Sequence, residues 1–516
     1  MDTGQRVNRL GTNRPASMID TLRRKLDGDV VLPDDPGYEE ARKVWNGAVD
    51  KRPAMVVYCA STRDVIEAVM FARSGNHLVA IRSGGHNVAG LSVCDNGIVI
   101  DLSRMKHIAV DPARRVARAE AGLSLVEFDT ATQAHGLATT MGVNSDTGIA
   151  GLTLGGGFGK LGRKHGLACD NLLAADVVLA DGRLVTASAV ENEELFWGLR
   201  GGGGNFGIVT AFEYQLHPVG PLLLVGSVLH PYDRARDAMR FYDDFCARAP
   251  DELSVDAALV TAPSGERFFN ISACYCGANE PGERIIRPLL EHGTPVESKL
   301  APVPYLQIQS GGDGLFPRGR RYYWKAQYLH TLTDAAIDTV LDTYARAPSV
   351  SSLLVFQHVG GAIARVPASA TPYANRDARY DCFPISIWDA PDEEDAAIRW
   401  ARDVWSAVKP FSTGGVYANN LGDEGEDRVR AAYGENHARL AALKAIYGGQ
   451  LLSPEPKHQA LGLVHGIGIA VNQAYRRRAI AAVLPCARVA RHPRRHRALL
   501  LTLRLGLLSV FVVLIY

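Results

Sequence analysis

Hydrophobic and polar positions along this chain change between a helical and a strand period, and the changes outline its elements. Ile19, Leu22 and Leu26 recur at helical spacing in an N-terminal lead-in, residues 1–50. Apolar runs typical of strands then alternate with helical patterns; the runs span 55–58, 78–82 and 98–102, and one such helix spans 62–74. This alternation predicts a mixed helix and sheet domain over residues 51–220.

A second mixed domain is predicted over residues 221–412. Its apolar runs 222–229 and 268–276 indicate strands, and 334–347 has the pattern of a helix, so the simplest arrangement is an antiparallel sheet with helices. Residues 413–447 follow, with a strand-like segment at 415–420 and then a helix rich in Arg, Glu and Ala. In the first domain, Asp181-Gly182 lies between two apolar segments and predicts a β-hairpin.

Composition excludes several classes of protein. The 516 residues leave room for several domains with large cores, and 47% hydrophobic with 22% charged residues is usual for globular chains. The net charge of +1 provides no positive field for nucleic acid, so we expect no such partner. The N-terminus lacks the apolar stretch of a secretory signal, and the eight cysteines form no CxxC pair. We therefore expect a cytoplasmic protein with buried thiols and no metal site.

Two glycine windows, 157–162 and 202–207, match the GxGxxG pattern of dinucleotide-binding proteins. That pattern requires a strand before the glycines and a helix after them. Here a helical pattern precedes the second window and a strand-like run follows it, so the order is reversed. Lys160 is followed by Leu161 instead of Ser or Thr, which also excludes a Walker A loop.

The most informative segment is 80–90, a glycine-rich turn directly after an apolar strand. Successive small residues allow backbone N–H groups to converge on anionic oxygens. His86 lies inside this turn, either as an ordinary loop histidine or as a functional one. A second glycine-rich segment, 148–159, supplies another bare backbone surface. Two such loops in one domain suggest a long ligand that carries phosphate.

These segments belong to a longer series of motifs whose order and spacing hold from Trp45 to Gly448. The series comprises Arg82–His86, Gly155–Gly159, Arg163–Leu167 with Asp170-Asn171, Asp181-Gly182, Leu195–Val209, Tyr322–Lys325, Gly360–Arg365 and Gly414–Asn419. It resembles the berberine-bridge-enzyme-like FAD-linked oxidases, which have the PCMH-type or vanillyl-alcohol-oxidase fold. The resemblance implies an α+β protein with a two-subdomain FAD-binding domain and a substrate domain whose antiparallel sheet is covered by helices. Residues 413–447 would return to the flavin domain.

The resemblance also implies the residues that hold FAD. They are Arg82, Ser83, Gly84, Gly85, His86, Asn87, Gly90, Asn144, Gly148, Gly151, Gly155, Gly156, Ile208, Val209, Tyr417 and Asn419. His86 matches the histidine that bonds to the flavin 8α-methyl carbon, and such a link raises the reduction potential. Some members have a second link through a cysteine; Asn144 stands at that position, so we expect a single covalent link. Cys169, the nearest thiol, is expected to be structural.

The implied reaction is hydride transfer from a C–OH or C–N carbon of a sugar, alkaloid-like or polyketide substrate to the covalently bound flavin, with dioxygen as the expected acceptor of the electrons. Tyr417 and Asn419 match a Tyr-x-Asn motif that touches flavin and substrate, although the family's following aromatic residue is Asn420 here. A phenol with a lowered pKa can act as a base, which makes Tyr417 the candidate catalytic residue. Packing alone is the alternative for Tyr417, and also for Tyr323 and Trp324 as pocket walls.

Residues 448–516 depart from the family pattern. The family's Phe-Arg-Leu-Asn-Gln-Asn-Ile stretch, written as codons and translated from its third base, gives Ser-Pro-Glu-Pro-Lys-His-Gln-Ala, which is 453–460 here. We therefore expect a frameshifted tail beyond Tyr447. The competing interpretation is a tail-anchored or inactive flavin-binding protein, but the apolar run 505–516 is shorter than the roughly 20 residues of a span. We expect no membrane association.

Overall fold

The computed structural model describes residues 17–422 and 424–447. The expectations for the start of the chain, for Cys486 and for the tail 448–516 lie outside these residues. Helix α1, Met18–Lys25, begins at a capping box in which the Ser17 hydroxyl accepts from the Asp20 N–H and the Asp20 carboxylate accepts from the Ser17 N–H. The helical pattern predicted for the lead-in is therefore confirmed at this helix.

A four-stranded sheet forms the first subdomain, in the order β1-β2-β4-β3. Its elements are β1 Asp29–Val31, α2 Tyr38–Ala41, β2 Met55–Tyr58, α3 Thr62–Ser74, β3 Val79–Arg82 and β4 Ile98–Asp101. Strands β2, β3 and β4 are parallel, whereas β1 of the lead-in adds an antiparallel edge. Helix α3 buries Val65, Ala68, Val69 and Ala72, the i, i+3, i+4, i+7 pattern that places one face on the core.

The second subdomain is a five-stranded antiparallel sheet in the order β5-β6-β10-β8-β9, with a small pair β7-β11 beside it. Its elements are β5 Ile108–Asp111, β6 Val116–Glu120, α4 Leu125–Gln133, β7 Leu137–Ala138, α5 Ile149–Leu154, α6 Gly162–His165, β8 Leu172–Val178, β9 Leu184–Ser188, α7 Glu193–Leu199, β10 Ile208–Gln215 and β11 His217–Pro218. Strands β8 and β9 form the hairpin predicted from Asp181-Gly182, where Gly182 has a positive φ of 84°.

An eight-stranded antiparallel sheet forms the rest of the described chain, in the order β15-β12-β14-β13-β18-β19-β16, with β17 also paired to β19. Its strands are β12 Leu222–Pro231, β13 Leu253–Thr261, β14 Arg267–Tyr275, β15 Glu297–Pro304, β16 Arg321–Trp324, β17 Gln327–Leu329, β18 Leu353–His358 and β19 Tyr380–Trp388. The helices between and after them are α8 Ala235–Cys246, α9 Asn279–Glu291, α10 Tyr305–Gln309, α11 Asp334–Tyr344, α12 Ala362–Arg365, α13 Glu394–Val408, α14 Glu426–Tyr433 and α15 His437–Tyr447.

The two faces of this large sheet have different neighbours. Helices α8, α11 and α13 cover one face and share a buried apolar cluster with it, which includes Met239, Ile337 and Val404. The side chains of Leu353, Phe383 and Ile385 belong instead to the cluster that contains the cores of the two smaller sheets. The predicted arrangement of an antiparallel sheet covered by helices is thus confirmed, and its free face is turned toward the first domain.

The segment after the large sheet returns to the second subdomain. The Lys444 ammonium on α15 lies 3.3 Å from Asn205 Oδ1, and the Tyr433 hydroxyl donates to the Gly202 carbonyl at 3.4 Å. The strand predicted at 415–420 is wrong: the chain runs through Tyr417 and forms a 3₁₀ turn, Ala418–Asn420. The side chains of Tyr417 and Asn419 bind each other and the glycine segment, which favours this turn over sheet pairing.

Candidate functional site

A cavity of about 500 Å³ lies where the two smaller sheets meet the free face of the large sheet. Thirteen of the sixteen residues predicted to hold FAD line it: Ser83, Gly84, Gly85, His86, Asn87, Asn144, Gly148, Gly151, Gly155, Ile208, Val209, Tyr417 and Asn419. Trp324, the predicted pocket wall, also lines it, whereas Tyr323 does not and instead accepts a hydrogen bond from Arg402. The site residues expected from sequence are therefore brought together at one place.

The two glycine segments meet backbone to backbone on one side of the cavity. A Cβ added to Gly84 would lie 2.2 Å from the Gly148 nitrogen, and one added to Gly148 would lie 2.3 Å from the Gly84 nitrogen. No side chain fits at either position, so glycine is required by close approach. Ser83 fixes the first loop to the second subdomain, because its hydroxyl donates to the Ala121 carbonyl at 2.6 Å.

His86 projects into the cavity from the loop after β3. The preceding Gly85 has a φ of 72°, a conformation that turns the chain at this point. Trp45 stacks on the imidazole at a centroid distance of 5.1 Å. His86 Nδ1 lies 3.4 Å from the Thr147 hydroxyl, and Nε2 lies 2.9 Å from the Asp146 carboxylate without hydrogen-bond geometry. Burial opposes ionisation of Asp146, but His86 and Arg318 outweigh it and lower the pKa of this carboxyl.

The lining fits a flavin nucleotide. Bare backbone faces the cavity at Gly151 and Gly204, where an added Cβ would have no atom within 4 Å. Four buried polar atoms of lining residues, His86 Nε2, Ser92 Oγ, Asn144 Oδ1 and Trp324 Nε1, have no hydrogen-bond partner in the described chain. Buried polar atoms are normally paired, so these atoms are available to a ligand that brings donors and acceptors. FAD brings both, together with phosphates suited to bare backbone N–H groups.

The remaining three predicted residues support the loops from behind the lining. The Arg82 guanidinium forms a buried ion pair with Asp101 on the neighbouring strand. Gly90 has a φ of 66°, and its carbonyl accepts from the Lys51 ammonium at 2.9 Å. Gly156 packs beneath two rings: an added Cβ would lie 3.1 Å from Tyr373 and 3.2 Å from Tyr417. Arg82, Gly90 and Gly156 are therefore not among the residues that line the cavity.

Tyr417 is buried and faces the cavity. Its phenol oxygen accepts from the Gly157 N–H at 2.9 Å and from the Asn419 amide at 2.8 Å. Burial raises the pKa of the phenol and outweighs these two hydrogen bonds, which lower it. This direction is opposite to the lowered pKa that the base role requires. The protonated phenol is therefore the form that the described chain favours.

The wall contributed by the large sheet contains functional candidates that sequence reasoning missed. Lys160 and Asp256 line the cavity and form an ion pair at 2.6 Å. Gln357 lines it from β18, and Asn420 lines it while its amide donates to Asp381 at 2.7 Å. Alternation along β13 and β18 could have indicated which residues share a face. The sequence of neither strand, however, shows that these two strands pair with each other.

No group of His, Cys, Asp or Glu within residues 17–422 and 424–447 could hold a metal ion. The seven cysteines in that part of the chain are buried and free, Cys169 included. No helix within those residues is both long and apolar enough to cross a membrane.

Comparison with known proteins identifies the class of this site. A family model described as an FAD binding domain matches residues 53–188. An FAD-linked oxidoreductase of Dictyostelium discoideum is 31% identical over 435 residues, which are 83% of this chain and 94% of that relative. The (R)-6-hydroxynicotine oxidase of Paenarthrobacter nicotinovorans is 38% identical over 203 residues, 39% of this chain and 44% of that relative.

A solved structure gives the same result at the level of fold. The crystal structure of 6-hydroxy-D-nicotine oxidase from Arthrobacter nicotinovorans superimposes with a TM-score of 0.77 at 26% identity and covers 82% of this chain and 95% of that one. The fold and the site define a flavin-dependent oxidoreductase. The chain belongs to the family of FAD-linked oxidoreductases, and FAD is its cofactor. Solved structures of berberine bridge enzyme and of a berberine-bridge-enzyme-like protein share its fold.

Proposed function

We propose that this oxidoreductase removes a hydride from a C–OH or C–N carbon of a small organic molecule and passes the electrons to dioxygen. The observation that carries the proposal is the cavity itself, which joins the two glycine segments of the FAD-binding domain to the free face of the large sheet. FAD, when bound, supplies the hydride acceptor. The oxidase names of the nicotine-oxidising relatives support dioxygen as the electron acceptor.

We further propose that His86 is the single covalent attachment point of FAD. Its imidazole is held between the Trp45 ring and the 146–147 turn, which limits its rotation. Asn144 lines the cavity at the place where relatives with a second link have a thiol, and an amide cannot form that bond. A covalent link raises the reduction potential of FAD and prevents its loss.

Tyr417 is proposed as the residue that holds the oxygen or nitrogen of the substrate. Both hydrogen bonds that it accepts come from its own side of the cavity, from Gly157 and Asn419, which leaves the phenol proton to be donated to a bound molecule. Asn419 also donates to the Leu152 carbonyl at 3.0 Å and thus fixes the phenol to the glycine segment. This arrangement orients a donor without removing a proton.

The experiment follows the flavin and the oxygen separately. Purified protein is precipitated with acid; flavin in the pellet indicates a covalent bond, and flavin in the supernatant contradicts it. Substrates are then screened anaerobically by bleaching of the flavin absorbance, and air is readmitted to test for hydrogen peroxide. Bleaching followed by peroxide is the expected result. Protein that binds no FAD, or bound FAD that no sugar, amine or alcohol reduces, contradicts the proposal.

His86→Ala is expected to release the flavin on acid precipitation. The variant removes the only imidazole among the described lining residues of the cavity, so the supernatant should contain essentially all of the FAD. His77→Ala is the matched control, because His77 lies two residues before β3 and packs against Phe71 outside the cavity. Flavin that stays in the His86→Ala pellet would assign the link to another residue.

A further inference from the structure

Two side chains with opposite formal charge stand out in the wall of the cavity. Among the described lining residues, Lys160 and Asp256 are the only Lys, Arg, Asp or Glu. Their side chains are 10% and 13% exposed, and Lys160 Nζ lies 2.6 Å from Asp256 Oδ2. A charged pair in a largely apolar wall is costly to bury unless something else satisfies it. The hydroxyl of a bound molecule would do so.

Both partners retain capacity for a further hydrogen bond. Asp256 Oδ1 accepts from the His358 N–H at 2.9 Å, and Oδ2 accepts from Lys160, so each oxygen has one donor. The Lys160 ammonium has three donors, and within the described chain Asp256 is its one hydrogen-bond acceptor. Burial disfavours the ammonium, but the neighbouring carboxylate outweighs it and raises the pKa of Lys160, so the lysine stays charged.

The face of the large sheet divides into a polar end and an apolar end. At the polar end, Gln357 pairs with Asp381, and Asp256 precedes the Ala257–Phe356 pair on the adjoining strands. At the apolar end the paired residues are hydrocarbon or aromatic: Ala258, Val355, Phe383, Leu353, Ile385 and Trp324. The apolar end is the one near His86. The ring centroid of Trp324 lies 5.9 Å from that of Trp45, and Trp45 stacks on the His86 imidazole.

We infer that the Lys160–Asp256 pair is the specificity determinant of the cavity and that the substrate is an apolar, ring-sized molecule with a hydroxyl group at one end. The inference rests on the proposed function and narrows its substrate class. A hydroxyl both donates and accepts, so it can bind the carboxylate and the ammonium together. The apolar end offers dispersion contacts to a ring. Among its six residues the one unpaired side-chain polar atom is Trp324 Nε1, which cannot satisfy the many hydroxyls of a sugar.

The test measures binding by calorimetry on the FAD-loaded enzyme, with 2-naphthol, 2-methoxynaphthalene and cellobiose as probes. The methoxy compound keeps the ring and loses the donated proton. We expect 2-naphthol to bind about ten-fold tighter than 2-methoxynaphthalene, equivalent to ~1.4 kcal/mol, and cellobiose to bind more weakly than both. Equal affinity of the two naphthalenes, preference for cellobiose, or no binding of either ring would overturn the inference.

The variant that isolates the pair is Lys160→Met with Asp256→Leu. Removal of one partner would leave a buried charge unpaired, whereas apolar replacement of both is often neutral for folding. The double variant should lose the ten-fold preference and keep its affinity for 2-methoxynaphthalene. Lys164→Met is the matched control, because that lysine, four residues further on, donates to the Cys276 carbonyl and does not line the cavity. A preference that survives in the double variant contradicts the inference.

The outcome is separable from that of the proposed function. Calorimetry reports binding whether or not the flavin is reduced, so a failed inference appears as lost discrimination in an enzyme that still bleaches with some substrate. A failed proposed function appears as flavin that is absent, or that no compound reduces, even where 2-naphthol binds with the expected preference.

Discussion

At the scale of single residues, the position of Tyr417 and the protonation of its phenol have different causes. Its place beside the glycine segment follows from a short motif, and the motif is visible in the sequence. Its protonation depends on burial, which arises only when three parts of the chain close around it. A role that needs a proton to be held fits the buried phenol better than a role that needs it removed.

Tyr417→Phe keeps the ring and deletes the hydroxyl. We expect the rate of flavin reduction to fall by roughly 10²-fold, the range for loss of one positioned hydrogen-bond donor. Because burial raises the pKa of the phenol, the wild-type rate should show no tyrosine ionisation between about pH 6 and 9. Stopped-flow reduction across that pH range checks both statements.

Tyr328→Phe is the control for this measurement. Its hydroxyl pairs with that of Tyr373 at 2.5 Å, and neither residue lines the cavity. An unchanged rate of flavin reduction in Tyr417→Phe would show that the phenol hydroxyl plays no part in the reaction. A wild-type ionisation that disappears in Tyr417→Phe would restore the base role.

At the scale of elements, the two glycine segments behave as one unit. The sequence of each segment by itself predicts a turn. The close approach between the two segments, in which a Cβ added to Gly84 would lie 2.2 Å from the Gly148 nitrogen, arises only where they meet. Elements with strong local patterns, such as α3 and the β8-β9 hairpin, could be predicted closely. The segment 415–420 could not, because side-chain bonds to a distant loop decide its conformation.

Gly84→Ala is expected to force these segments apart. The added methyl group would contact backbone, which cannot rotate away, so we expect a loss of about 1–3 kcal/mol and weaker FAD retention. Gly422→Ala is the control, since the nearest atoms to its added Cβ are in the Glu424 side chain at 3.9 Å and Gly422 does not line the cavity. Thermal unfolding and FAD absorbance measure both variants. Equal stability of Gly84→Ala and wild type would show that the loops are not in contact.

At the scale of the whole molecule, three sheets enclose one cavity, and that closure also buries carboxyl groups. Asp381 and Asp129 have their pKa raised by burial to about 7, with a single amide donor each, from Asn420 and Gln309. Nothing near these aspartates in sequence indicates burial. Alternation, motifs and the family resemblance were sufficient for the fold class, whereas the Lys160–Asp256 pair and the buried carboxyls depend on how the sheets pack.

The raised pKa of Asp381 predicts how stability varies with pH. The carboxyl ionises near pH 3.8 in the unfolded chain and near pH 7 in the folded one, so stability falls as pH rises between these values. The loss is on the order of 4 kcal/mol at most. Asp381→Asn should therefore match wild type near pH 4 and exceed it at about pH 8. Asp129→Asn should behave alike, because its pKa is raised in the same way.

Denaturant unfolding at the two pH values measures this difference. Asp34→Asn is the control, because Asp34 is exposed and its substitution should give the same difference from wild type at both pH values. A gain for Asp381→Asn that is equal at low and high pH would contradict the raised pKa and indicate a packing effect instead.

The wall formed by Tyr417, Ala418, Asn419, Asn420 and Tyr433 is translated after every other part of the cavity. When the ribosome reaches this segment, both glycine turns and all strands of the large sheet have already been made. The wall of the cavity is therefore incomplete until Tyr433 has been made, so full enclosure of FAD cannot precede synthesis of this segment.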